Sequence, residues 1–239
     1  MRFNEVRLGL IVPSSNTNAE PLAADMLRGM NAVAMASRFP LPSDLGAVID
    51  EVLLGPAADL LADSGVACQG FHGTSGCWLG FEHDRALADS LQSRTGIPAT
   101  TASLATLQGI EAIGAKRVGL VFPGPVAIAE QIEGELRDSG IEVITRSLPA
   151  VSMNNQQISR LSRSEIESLI NDALAPGIEA IVCIGTNLRS AYLVADLEPQ
   201  LGVPIVDSAA AIMSQLLAMA GVRERPQGWG ELVSSAPAM

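Results

Sequence analysis

The strongest constraint in this sequence is that it says the same thing twice. Arg7-Leu8-Gly9-Leu10-Ile11-Val12-Pro13 returns as Arg117-Val118-Gly119-Leu120-Val121-Phe122-Pro123. Gly73-Thr74-Ser75-Gly76 returns as Gly185-Thr186-Asn187-Leu188, and Gly96-Ile97-Pro98 as Gly202-Val203-Pro204. The offsets are 110, 112 and 106 residues, so order and spacing are kept across both halves. Three matches in register imply two lobes on one plan, rather than chance similarity among strand ends.

Short β-branched runs alternate with helical patterns between these landmarks, which is the signature of parallel strands joined by helices. The reading places strands near 7–12, 31–38, 66–72, 97–100, 117–122, 141–147, 179–184 and 203–206. Helices are expected near 18–29, 45–64, 76–93, 102–113, 126–139, 163–174, 188–200 and 208–220, with Gly55-Pro56 breaking or kinking the second. The fold class is α/β: two pseudo-symmetric lobes, each a four-stranded parallel sheet flanked by helices, with a cleft between them. The first lobe is expected to take 1–100 plus 209–239 and the second 101–208. Aromatics make up only 3% of the 239 residues, so aliphatic side chains must build the core, as suits sheets covered on both faces.

Charge and cysteine usage narrow the function. A net charge of −11 without a basic cluster argues against nucleic-acid and anionic-membrane partners. No stretch approaches the ~18 apolar residues of a membrane span, and the N-terminus lacks a signal-peptide pattern. Cys68, Cys77 and Cys183 form no disulfide framework and no Cys/His cluster has metal-ligand spacing, so the expectation is a reduced, cytoplasmic protein without metal or other cofactor. Self-association is left open.

In open α/β sheets, ligands gather at the carboxyl ends of strands. Three motifs fall there. Val12-Pro13-Ser14-Ser15-Asn16-Thr17 ends a strand with side chains able to cap the next helix or to grip a carboxylate. Gly73-Thr74-Ser75 and Gly185-Thr186-Asn187 each offer a tight turn, backbone N–H groups and small polar side chains, a combination suited to a carboxylate or a developing enolate. The expected substrate-binding set is therefore Pro13, Ser14, Asn16, Gly73, Thr74, Ser75, Gly185, Thr186 and Asn187.

These motifs resemble a known superfamily over nearly the whole chain. Val-Pro-Ser-Ser-Asn-Thr is similar to maleate cis–trans isomerases. Gly-Thr-Ser, and the tail Arg225-Pro226-Gln227-Gly228-Trp229-Gly230-Glu231-Leu232, resemble arylmalonate decarboxylase. Both are branches of the aspartate/glutamate racemase superfamily. The resemblance implies cofactor-independent lyase or isomerase chemistry on a small carboxylate or dicarboxylate, through an enediolate-like intermediate. It also implies paired cysteines at the two turns, or one at the second turn in the decarboxylases. Here Gly73 and Gly185 stand at those positions, and Phe122-Pro123-Gly124-Pro125 occupies the stretch where the resemblance leads one to expect a tyrosine.

The proton carrier must then come from elsewhere. Cys77, in the first turn of the following helix, and His72, just before the first turn, are the candidates, weighed against a packed thiol and a hydrogen-bonded strand-end histidine. Cys183 and Cys68 read as core, Glu82-His83-Asp84 as a solvated helix face and Asp207 as a helix N-cap. Arg189 reads as a surface arginine with a possible substrate-pairing role, and Trp78 and Tyr192 as packing or as pocket wall. Two alternatives stay open: a hydrolase or hydratase using an activated water, and a binding protein that kept the carboxylate cradle without the chemistry.

Overall fold

In a computed structural model that describes residues 4–235, all eight strands are parallel and fall into two four-stranded sheets. The first half runs β1 (Val6–Pro13), α1 (Ala19–Met26), β2 (Ala32–Phe39), α2 (Glu51–Asp63), β3 (Cys68–Phe71), α3 (Gly76–Leu79), α4 (Phe81–Thr95) and β4 (Ala99–Thr101). The second runs α5 (Ala102–Ala112), β5 (Arg117–Val121), α6 (Val126–Asp138), β6 (Glu142–Ser147), α7 (Asn155–Ile158), α8 (Arg163–Asp172), β7 (Ala180–Cys183), a 3₁₀ turn over Ser190–Leu193, α9 (Val194–Leu201) and β8 (Ile205–Asp207). Helices α10 (Ser208–Met219) and α11 (Gly230–Ser235) close the chain. Strand orders are β2-β1-β3-β4 and β6-β5-β7-β8, the same arrangement twice.

The inner strands are buried on both faces, which is why Leu8–Val12 and Val118–Val121 read as near-continuous apolar runs. Edge strand β6 alternates between exposed and half-buried positions over most of its length. One aliphatic core runs through both sheets, from Leu8, Leu10 and Leu22 to Leu120, Val182 and Val206. Helix α10, although it follows β8, packs on α5 and on strands β3 and β4 of the first sheet.

The helices depart from expectation in four places. Residues 45–50 are not helical. Asp50 caps α2 by accepting the Leu53 N–H (3.0 Å), and Pro56 lies within a continuous α2. The helix expected over 76–93 is broken at Gly80, whose φ of 115° no helix accommodates. In the helix expected over 188–200, residues 188–189 are not helical and Ser190–Leu193 are 3₁₀. Helix α7, which the apolar pattern does not reveal, begins with a reciprocal Asn154–Gln157 capping box. Among the described residues no helix is long and apolar enough to cross a membrane, and no group of three or more His, Cys, Asp or Glu side chains is placed to hold a metal ion.

Candidate active site

The carboxyl ends of the two central strands of each sheet open into one cavity of about 800 Å³. Strand β1 contributes Pro13 to Asn16, and β3 contributes Phe71 and Gly73 to Ser75. Strand β5 contributes Phe122 to Gly124, and β7 contributes Gly185 to Asn187. All nine residues expected to bind substrate therefore line a single space. Two segments complete the walls: the loop from Leu41 to Ile49, and Ser152 to Ile158.

The polar side chains of β1 and β7 first bind each other. The Asn16 amide donates to Thr186 Oγ1 (3.0 Å), which donates in turn to the His72 carbonyl (3.0 Å). Asn187 Oδ1 accepts the Thr17 N–H (2.9 Å), while its amide donates to the Asn155 carbonyl (2.7 Å), whose own side chain donates to Ser15 Oγ (2.8 Å). Asn18 donates to the Thr186 carbonyl (3.1 Å). These buried bonds, linking positions about 170 apart in sequence, lock the two strand ends together. Asn16 Oδ1 also accepts the N–H groups of Asn18 (2.8 Å) and Ala19 (3.0 Å) at the start of α1, so the capping role of this asparagine is realised.

What the lock leaves over is mainly backbone. Among the described residues, the N–H groups of Gly73, Thr74, Ser75, Thr186 and Asn187 have no acceptor. Ser75 Oγ is buried and likewise without a partner. Both turns line the cavity, so their N–H groups are open to an acceptor placed in it.

Neither expected proton carrier lines this space. Cys77 is 1% exposed, and burial raises its thiol well above the ordinary range, against any thiolate character from the short helix it belongs to. His72 is fully buried, both ring nitrogens lack partners, and burial pushes its pKa down to about 4. The His72 contribution to the site is its carbonyl, not its ring. Sequence position brought both residues beside the first turn, but the turn directs their side chains into the packed interior. Cys68 and Cys183 are core residues, with burial pushing Cys68 up to about 12 and Cys183 higher still.

Other expectations divide. Asp207 caps α10, accepting from Ala209 (2.9 Å) and Ala210 (2.8 Å). Glu82-His83-Asp84 is not a solvated face: Asp84 is fully buried, and a ring nitrogen of His83 meets the Ile49 carbonyl at 2.9 Å. Arg189 is exposed. Trp78 lines the cavity, and its indole N–H donates to the Leu45 carbonyl (2.9 Å). Tyr192 instead packs on Trp229, with ring centroids 5.3 Å apart.

The two glycines are glycines for different reasons. A Cβ on Gly73 would lie 2.3 Å from Phe71 Cζ, so the phenylalanine ring fills the side-chain position there. Gly185 has room, its nearest neighbour being Pro123 at 3.8 Å, but its φ of 126° is one that L-residues rarely adopt. Of the cavity's aromatic lining, Phe71 packs edge-on against Phe39 behind it (5.8 Å), and Phe122 packs against Trp78 (6.1 Å).

The sequence reading offered Trp78 as a pocket wall but missed Phe71 and Phe122, the 41–49 loop and the 152–158 segment. Phe71 and Phe122 sit at the ends of strands already assigned, where a single aromatic reads as packing. Only the Asn154-Asn155-Gln156-Gln157 run carried a visible signal, four amides in a row that form the cap and first turn of a short helix. Asp44, exposed and accepting the Gly46 N–H (2.9 Å), is the sole titratable side chain among the lining residues.

Comparison with known proteins agrees with this arrangement. The chain is 29% identical over 197 residues to the arylmalonate decarboxylase of Bordetella bronchiseptica, covering 80% of each protein. It is 24% identical over 255 residues to the maleate isomerase of Geobacillus stearothermophilus, covering 95% of this chain and 97% of that one. Its structure superposes on a Pseudomonas putida maleate isomerase with a TM-score of 0.87 at 25% identity, over 98% of this chain and 100% of the other. The family described as arylmalonate decarboxylase matches residues 8–233, so the chain belongs to that family.

Proposed function

We propose that the protein is a cofactor-independent lyase that decarboxylates a small malonate-type dicarboxylate carrying an apolar substituent. The carrying observation is the pair of turns with unclaimed N–H groups, joined by the unpartnered Ser75 hydroxyl, in a cavity lined by aromatic rings. When the bond to the departing carboxyl group breaks, its electron pair passes to the α-carbon and into the remaining carboxylate, which becomes an enediolate. Fixed donors aimed at that growing charge lower the barrier, one such donor contributing ~3 kcal/mol. Carbon dioxide leaves, and the α-carbon takes a proton to give the monoacid. We read Gly73 and Gly185 as the counterparts of the superfamily's cysteine positions.

The absence of a cavity-lining thiol among the described residues favours decarboxylation over maleate isomerisation, because cis–trans isomerisation needs a nucleophile that adds to the double bond and leaves again. In this reading the proton comes from water entering at the mouth. Water can approach either face of the enediolate, so an α-carbon that carries two different substituents is protonated to a nearly racemic product. The test is incubation with α-methyl-α-phenylmalonate and, separately, with maleate in D₂O, followed by proton NMR and chiral chromatography. The expected result is α-deuterated, near-racemic 2-phenylpropionate and no fumarate. Fumarate formation would favour an isomerase, a single enantiomer would require a fixed acid in the cavity, and binding without turnover would favour a carboxylate-binding protein.

A further inference from the structure

The internal repeat carries a buried carboxylate–hydroxyl bridge behind each turn, with the two partners exchanged between lobes. In the first lobe Thr101 Oγ1 donates to Asp84 Oδ2 (2.6 Å). In the second Ser190 Oγ donates to Asp207 Oδ2. Both pairs are 17 residues apart, and 84→190 and 101→207 are each offsets of 106, the spacing that also relates the helix-ending glycines Gly96 and Gly202. Thr101 and Asp207 close equivalent strands and cap equivalent helices, Thr101 accepting the Leu104 N–H (3.1 Å) as Asp207 accepts those of Ala209 and Ala210. All four side chains are fully or almost fully buried.

Each bridge holds a turn. In the second lobe Ser190 directly follows the Gly185–Arg189 turn, and Gly185 N–H donates to Ser208 Oγ (3.2 Å), so residues 207 and 208 grip both ends of it. In the first lobe the Asp84 carboxylate lies against the Gly76 backbone at the end of the Gly73–Ser75 turn; a Cβ on Gly76 would be 2.1 Å from Asp84 Cγ. The equivalent of Gly76 is Leu188, fully buried. The lobe with room beside its turn keeps the larger carboxylate there, and the lobe with a leucine keeps a serine.

We infer that Asp84–Thr101 and Ser190–Asp207 are equivalent positioning pairs that fix the two donor turns, and that the carboxylate works from either end of the bridge. The exchange is predicted to be transposable in the first lobe, where Gly76 leaves space. Asp84→Ser leaves the Thr101 hydroxyl without its acceptor, and Thr101→Asp alone sets two buried carboxylates side by side. The double variant Asp84→Ser/Thr101→Asp recreates the second-lobe arrangement, with aspartate as the cap of α5.

The test compares both single variants with the double variant by residue-resolved amide hydrogen exchange and by calorimetric titration with phenylmalonate. The Cys77 and Trp78 amides, bonded to the Thr74 and Ser75 carbonyls (3.0 Å each), report the first turn. Each single variant is expected to speed exchange there by at least about tenfold relative to β5, and to weaken phenylmalonate about tenfold. The double variant is expected to restore both to within about threefold of wild type. The inference is overturned if the double variant is no better than the worse single one, or if exchange rises equally in β5. The phenylmalonate arm rests on the proposed function and the exchange arm does not. If wild type fails to bind phenylmalonate, the functional reading falls while exchange still decides the pairing; a single variant that does not fold counts for it only if the double variant folds.

Discussion

At the scale of single residues, the candidate site is a set of donors without acceptors, and its two glycines, which we read as counterparts of the superfamily's cysteines, resist a side chain for different reasons. Gly73 has a backbone an L-residue can adopt, but Phe71 occupies the volume. Gly185 has the volume, but its backbone is strained for any side chain, a cost of order 1–3 kcal/mol. Gly73→Cys is therefore expected to lower thermal stability, and Phe71→Leu in the same chain to recover a large part of the loss. Additive destabilisation by the two changes, read from melting curves, would show that the ring is not the obstacle. The turn residues were legible in the sequence because glycine followed by small hydroxyls has few other uses at a strand end. The burial of Cys77 and His72 was not, since a neighbour in sequence can point into the cavity or under it, and only the packed turn decides which.

At the scale of elements, eight strands were readable from apolar runs, because strands buried on both faces leave little room for polar residues. Helix ends were less readable where local capping competes with periodicity. Asp50 starts α2 later than the apolar pattern suggests, and Gly80 divides what periodicity joins. Of the break or kink expected at Gly55-Pro56, the break does not occur: Pro56 is exposed within α2, on the side of the helix away from the buried Leu54, Ala57 and Ala58. The loop over Leu41–Ile49 carried no loop signal of its own, its second half being read into α2. Its position beside the cavity comes from two long-range anchors, Trp78 to the Leu45 carbonyl and His83 to the Ile49 carbonyl, that no local pattern announces.

At the scale of the whole molecule, the repeat proved the most informative feature, since it predicted two like sheets and the convergence of their strand ends. It also leaves buried ionisable groups whose effects oppose each other. Burial pushes Asp207 from 3.8 up to about 6 despite the opposing Ser190 bond, so the folded chain holds a proton that the unfolded chain releases. That contribution to stability is full below pH 3.8 and lost as pH rises through about 6. His72, pushed from 6.5 down to about 4, works the other way: its contribution is full above pH 6.5 and lost as pH falls through about 4. Each amounts to the order of 3 kcal/mol. Asp207→Asn, which keeps a capping side chain, is expected to remove the falling component and tilt the stability curve upward between pH 4 and 6.5 relative to wild type. Parallel curves for variant and wild type in urea titrations would contradict the assignment.

The central claim is that the two turns, and Ser75 above all, receive the negative charge that develops on a carboxylate substrate. Its most direct measurement is kcat/KM for arylmalonate decarboxylation by Ser75→Ala, with the melting temperature of the variant taken alongside. The account predicts a loss of about 100-fold or more, mostly in kcat, with a melting temperature close to wild type. A wild-type rate in Ser75→Ala would contradict it.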